Sequence, residues 1–170
     1  MSPRVAAVVL FCLGAAGFVA CSTPATDPRF VGPEPERASF EPVADMLVRN
    51  CGTLDCHGTA FRNLRIYGNG GLRWDKDPTA SDASPSLLGK TTKLEYDEDY
   101  RSVIGLEPEL TSKLFAERGA SPERLTLVRK GRGQEAHKGG AVFPTGDPRD
   151  VCLTSWLAGA VDAAACAQAP

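Results

Sequence analysis

The segment from Asn50 to Gly58, NCGTLDCHG, constrains this chain more than any other part of the sequence. Cys51 and Cys56 are separated by four residues, and His57, one of only two histidines in the chain, directly follows the second cysteine. Residues of these types attach a cofactor covalently, form a disulfide or bind a metal ion. Each possibility closes a short loop around which the rest of the fold must be built.

Residues 1–20 are typical of an export signal. Arg4 precedes the apolar run VAAVVLFCLGAAGFVA, which is short and rich in Gly and Ala for a membrane-spanning helix. The run ends in FVAC, which resembles the lipobox of bacterial lipoproteins, although Phe18 stands where leucine is usual. This resemblance implies a lipid on Cys21, and Ser22 after it implies an outer-membrane destination. We expect a lipid-anchored protein of the cell envelope that faces the periplasm or the cell surface; an ordinary signal peptide or an uncleaved anchor is the alternative.

Residues 21–38 contain four prolines and few apolar side chains, which predicts a disordered, flexible linker. The folded domain is then expected over residues 39–170, a length that suits one core. The chain carries 19 basic and 21 acidic residues, mixed along its length. Because no basic tract is present, a nucleic-acid partner is not expected.

Once the signal is removed and Cys21 is lipidated, four cysteines remain for the domain. Compartments outside the inner membrane are oxidising, so these thiols should be bonded. Cys152 and Cys166 flank an Ala-rich run with no histidine nearby, which predicts a structural disulfide at the end of the last helix. Cys51 and Cys56 are left as a pair with a different partner, or as a second disulfide.

The hydrophobic pattern predicts a mainly helical domain with long loops. A helix is expected over residues 39–50, with Ser39 as its cap, and others over 93–105 and 107–118. Residues 63–75 place short alternating segments around an Asn-Gly turn, which predicts a small β-hairpin or a wide turn. The last helix should begin with Asp147 as cap and Pro148 in its first turn.

Two cysteines followed directly by a histidine form the attachment signature of c-type haem. The thiols add to the haem vinyl groups, and the adjacent histidine is carried to the iron. The usual spacing has two intervening residues rather than the four between Cys51 and Cys56. A zinc site using both cysteines with His57 and His137 is an alternative with the right ligand count. A Cys51–Cys56 disulfide without any cofactor is another.

The motif CHG, followed by GGLRWD, PELTSKLF and a terminal WLAGA, resembles the cytochrome c-like domains of large exported proteins in planctomycetes and myxobacteria. The resemblance is discontinuous and covers about residues 40–160. It implies a compact helical fold with one haem c per chain, thioether bonds at Cys51 and Cys56, and His57 as the proximal iron ligand. The Met-Pro-Pro segment that commonly provides the distal ligand in those domains is absent.

His137, in the glycine-rich loop before the last helix, is the candidate distal ligand, whereas Met46 is expected in the core. The resulting hypothesis is an electron-transfer lipoprotein, rather than an enzyme, that works with a redox partner protein. The alternative is a disulfide-stabilised envelope lipoprotein with a binding or structural role, in which His137 is a solvated loop residue. Five further side chains are candidates for holding the haem carboxylates: Arg62, Arg65, Tyr67, Arg73 and Trp74.

Overall fold

A computed structural model describes residues 32–74 and 89–169 of the chain. Within these residues the protein is mainly helical, as the sequence predicts, and contains no β-strand. Six α-helices follow one another with two short 3-10 turns, Arg37–Ser39 and Pro122–Arg124. The helices are α1 (Glu41–Cys51), α2 (Lys93–Ile104), α3 (Pro108–Ala116), α4 (Thr126–Gly131), α5 (Pro148–Leu157) and α6 (Ala163–Gln168).

Helix α1 lies at the centre and contacts α2, α5 and α6. Its apolar stripe is buried as the helical spacing predicts. The helix begins at Glu41 with Pro42 in its first turn, a position where the missing N–H of proline costs nothing. Ser39 does not cap it, because the Ser39 hydroxyl donates to the Glu36 carbonyl instead. The four buried residues of the stripe are Phe40, Val43, Met46 and Leu47.

An aromatic cluster joins α1, α2 and α5. The Phe40 ring lies 4.8 Å from that of Trp156 and meets the Tyr100 ring edge-on at 5.6 Å. Trp156 is fully buried, and its indole N–H donates to the Glu36 carbonyl at 3.1 Å. The Tyr100 hydroxyl donates to the Pro35 carbonyl. These contacts hold residues 34–36 against the domain, so the packed part of the chain begins before residue 39, the expected boundary.

Helices α5 and α6 close the domain. Asp147 caps α5 by accepting from the Arg149 N–H, with Pro148 in the first turn, as expected. A disulfide connects Cys152 of α5 with Cys166 of α6, the pair expected from the sequence. The disulfide connects two separate helices, whereas the sequence predicted one helix with the disulfide at its end. The difference arises because the chain leaves helical conformation after Leu157.

The predicted β-hairpin over residues 63–75 is not formed in its described part, residues 63–74. A single bridge connects Tyr67 with Leu72 around the turn. The backbone groups that a second strand would satisfy are bound elsewhere: the Tyr67 N–H donates to Asp99, and the Arg65 N–H donates to the Ser102 hydroxyl. Because side chains of α2 take these hydrogen bonds, the segment needs no partner strand.

The expected signal (residues 1–20), the expected lipidation at Cys21 and most of the expected linker (residues 21–38) lie outside the described residues. None of the described helices has the length and apolar character needed to cross a bilayer.

Candidate cofactor site

The motif loop begins at the end of α1 and turns back toward it. Cys51 is the last residue of the helix, and the His57 N–H donates to its carbonyl at 2.9 Å. Two further N–H groups, those of Cys56 and Gly58, donate to the Thr53 carbonyl. Cys51 is buried and Cys56 half-buried, and both are free thiols. The four intervening residues therefore form a compact turn that brings Cys51 and His57 together.

Glycines make this turn possible. A Cβ placed on Gly58 would lie 2.0 Å from the Gly52 carbonyl oxygen, and one on Gly71 would lie 1.8 Å from the same atom. No side chain can occupy such a position, so three backbone segments meet here only because all three residues are glycine. The glycine of CHG and the second glycine of GGLRWD thus share one structural role.

His57 is held in one orientation by the backbone. Its Nδ1 lies 3.0 Å from the Leu64 carbonyl oxygen, and the Ile66 N–H donates to the His57 carbonyl at 2.8 Å. Because a carbonyl only accepts, Nδ1 carries the hydrogen and Nε2 keeps its lone pair. This arrangement, with the second ring nitrogen donating to a carbonyl, is the common one for metal-binding histidines.

Burial lowers the pKa of His57 below its ordinary value. The hydrogen bond to Leu64 opposes this shift, whereas the nearby His137 and Arg62 lower the pKa further. The imidazole is therefore neutral at neutral pH, which is the form that binds metal ions.

His137 lies directly beside His57, although the two residues are far apart in sequence. The ring centres are 5.9 Å apart, and the ring planes differ by 18°. Two imidazoles that bind one metal ion through facing nitrogens, each at about 2 Å, have ring centres roughly 6 Å apart. The two near-parallel rings are therefore close enough for both imidazoles to contact one bound group.

Both histidines line the same cavity, which has a volume of about 390 Å³. Cys51 also lines it, so three of the four predicted cofactor residues face one space. Among the residues that the structure describes, the charged side chains lining it are Arg62 and Lys130, and no carboxylate is among them. Apolar side chains from four segments supply most of the remaining wall: Phe61, Leu64, Leu106, Leu127, Val142 and Phe143.

Cys51 is unsuited to thiolate chemistry in this setting. Burial raises the pKa of its thiol to about 12, the neighbouring Cys56 raises it further, and Arg149 opposes the shift. The thiol is therefore neutral at physiological pH in the metal-free protein. Among the described residues, no group of three or more His, Cys, Asp or Glu side chains is placed to hold a metal ion.

The candidates for binding haem carboxylates divide between two places. Arg62 lines the histidine cavity, whereas Arg65, Tyr67 and Trp74 line a separate one. Arg73 is buried and donates to both carboxylate oxygens of Glu95 and to two backbone carbonyls, a structural position.

Sequence reasoning did not identify Lys130 or the wall that follows α4. Val142 and Phe143 form a short apolar island in an otherwise polar, glycine-rich loop. The N–H groups of both residues donate to the Gly131 carbonyl, and Phe143 is buried. The island was the available signal that this loop packs against the domain instead of extending into solvent.

No protein-family model matches this chain, and neither a curated protein nor a solved structure is significantly similar to it.

Proposed function

We propose that this protein is a haem c-binding electron-transfer lipoprotein of the cell envelope. One observation carries the proposal: His57 and His137 lie in one cavity at the ring separation of two axial ligands, with Cys51 in the same wall. In this proposal Cys51 and Cys56 hold the macrocycle through thioether bonds. His57 is the proximal ligand and His137 the distal one.

A haem bound here would supply a one-electron Fe(III)/Fe(II) couple, which makes the protein a carrier rather than a catalyst of bond formation. The Leu64 carbonyl fixes the His57 ring so that Nε2 is directed away from the hydrogen bond. Apolar side chains would contact the macrocycle, and Arg62 and Lys130 would offer positive charge to the haem carboxylates. A second histidine in place of a methionine sulfur lowers the reduction potential relative to a His/Met site.

The expected N-terminal lipid on Cys21 would tether this carrier to a membrane, most simply the outer membrane. An electron donor or acceptor protein is required for its action. This part of the proposal depends on the sequence of residues 1–22.

The decisive experiment is a pyridine haemochrome spectrum after co-expression with a periplasmic cytochrome c maturation system. We expect a c-type spectrum with one haem per chain that survives denaturation, because thioether bonds do not dissociate. The double variant Cys51→Ser/Cys56→Ser should lose covalent retention of the haem, because it removes both proposed thioether bonds. The double variant Cys152→Ser/Cys166→Ser is the matched control, because it also removes two cysteines, creates no new free thiol and leaves the motif intact.

A colourless, folded protein without free thiols would overturn the proposal. That result would instead support the alternative, a Cys51–Cys56 disulfide in an envelope lipoprotein with a binding or structural role. A double variant Cys51→Ser/Cys56→Ser that still retained one haem covalently through denaturation would exclude the assigned attachment.

A further inference from the structure

The loop that carries His137 is closed at its base by a buried ion pair. Arg132, directly after α4, donates to Asp150 of α5 through two nitrogens, at 2.8 and 3.0 Å. The side chains are only 9% and 3% exposed. The Gly146 N–H donates to the second Asp150 oxygen at 2.9 Å. One carboxylate thus binds both the beginning and the end of the loop.

Contacts toward the loop tip are weaker or more exposed. His137 Nδ1 lies 3.4 Å from the Gly140 carbonyl oxygen, at the limit of a hydrogen bond. Glu135 pairs with Arg129 and Lys130, but these side chains are about one-third exposed. Exposed pairs contribute little to stability, so the side-chain attachment of the tip is weak; the Lys130 ammonium also donates to the Ala136 carbonyl at 3.1 Å, at an exposed position.

We propose that Asp150 is the positioning residue for the distal ligand: by joining Arg132 to Gly146 it holds His137 opposite His57. This inference rests on the proposed function. Breaking a buried pair by removing one partner is strongly destabilising, because the remaining charge has no compensation. Without the Asp150 carboxylate, Arg132 keeps only Glu123 at 3.8 Å, and Gly146 loses its acceptor. The backbone hydrogen bonds from Val142 and Phe143 to the Gly131 carbonyl still close the loop, but its outer bridge is lost, so His137 is held less firmly opposite His57.

The test compares the haem-loaded wild-type protein with Asp150→Asn, His137→Ala and Glu135→Gln. Glu135→Gln is the matched control, because it removes one carboxylate charge from the same loop at an exposed pair. Visible and EPR spectra of the ferric state report whether the haem is low-spin with two nitrogen ligands. Titration with free imidazole then reports how readily the distal position is filled from solution.

Wild type and Glu135→Gln should be low-spin and resist imidazole. Asp150→Asn should gain a high-spin fraction, as in His137→Ala, and bind imidazole at a concentration about tenfold lower or less than wild type requires. Added imidazole should restore the low-spin spectrum, and a far-UV circular dichroism spectrum equal to that of wild type would exclude a general loss of folding. If Asp150→Asn does not fold, Arg132→Lys, which keeps the charge but loses the two-point contact, should show the same change in part.

Three results overturn the inference, and they differ in what they mean for the proposed function. A wild-type spectrum and imidazole affinity in Asp150→Asn, or in Arg132→Lys when that variant is used, would refute the role of the ion pair alone. A haem-loaded wild type that is already high-spin like His137→Ala would remove the distal ligand but keep the haem. A wild type without haem would refute both.

Discussion

Replacing Asp99 by Asn should stabilise the protein increasingly as the pH rises. Asp99 of α2 is fully buried, and its Oδ1 accepts the Tyr67 N–H at 2.7 Å. Its Oδ2 has no hydrogen-bond partner among the described residues. Burial raises the pKa of Asp99 to about 8; the Tyr67 N–H opposes this rise, and the carboxylates of Glu95 and Glu98 add to it.

The sign follows from the proton that the folded protein retains. An aspartate in the unfolded chain ionises near pH 4, so between about pH 4 and 8 the unfolded state has lost a proton that the folded state keeps. The free energy of unfolding therefore falls through this interval and levels off above it. One proton corresponds to about 1.4 kcal/mol per pH unit, tapering near the folded pKa. From pH 6 to pH 8 Asp99 should cost the wild type about 2 kcal/mol.

Asn removes this dependence while it keeps the acceptor for Tyr67. The hydroxyl hydrogen of protonated Asp99 lacks an acceptor, and so does the amide NH2 of Asn at the same position. The cost of this unsatisfied donor therefore largely cancels in the comparison. The difference in unfolding free energy between Asp99→Asn and wild type should thus grow by about 2 kcal/mol from pH 6 to pH 8.

Urea unfolding followed by circular dichroism at several pH values measures the effect. Other titrating groups are common to both proteins and cancel in the difference. Glu109→Gln, at an exposed position of α3, controls for the loss of one negative charge and should run parallel to wild type. Parallel stability curves for Asp99→Asn and wild type would refute the reasoning, since they would mean that Asp99 ionises alike in both states.

Three further changes test other parts of the structure. His137→Ala should convert a low-spin ferric haem to high-spin and raise its reduction potential; an unchanged visible spectrum in both oxidation states would exclude ligation. Cys152→Ser opens the disulfide to Cys166 and should lower the unfolding free energy by about 3 kcal/mol, measured by urea denaturation. Arg73→Met leaves the buried Glu95 carboxylate unpaired and should cost about 3–5 kcal/mol in the same assay, whereas a loss below 1 kcal/mol would contradict a structural role.

Local rules predict the helices of this domain well. The stripe Phe40, Val43, Met46 and Leu47 is buried, and Asp147 caps α5 as expected. These features depend on residues within one or two turns of each other, which a sequence displays directly. The hairpin prediction is wrong because it considered only neighbouring residues. The N–H of Tyr67 donates instead to Asp99, a side chain on a helix far along the chain.

The candidate site divides in the same way. The motif itself places His57 beside Cys51, because the His57 N–H donates to the Cys51 carbonyl. The proximity of His137 depends on a different contact, between Arg132 and Asp150, which the sequence presents only as two unrelated charges. Neither composition nor spacing indicates which of many charges will be buried together, so the partner of His57 could be named as a candidate but not placed.

The haem and disulfide hypotheses account for different amounts of this structure. A disulfide between Cys51 and Cys56 would close the motif loop, but it gives no role to a cavity whose wall comes from several distant segments. It also leaves unexplained why the Leu64 carbonyl fixes the tautomer of His57 and why a buried ion pair mounts the loop of His137 beside it. Burying such an ion pair costs desolvation free energy, and a loop that only extends into solvent would not require it. Haem ligation uses all of these features at once, which is why the spin state of the ferric protein distinguishes the hypotheses better than the cysteines do.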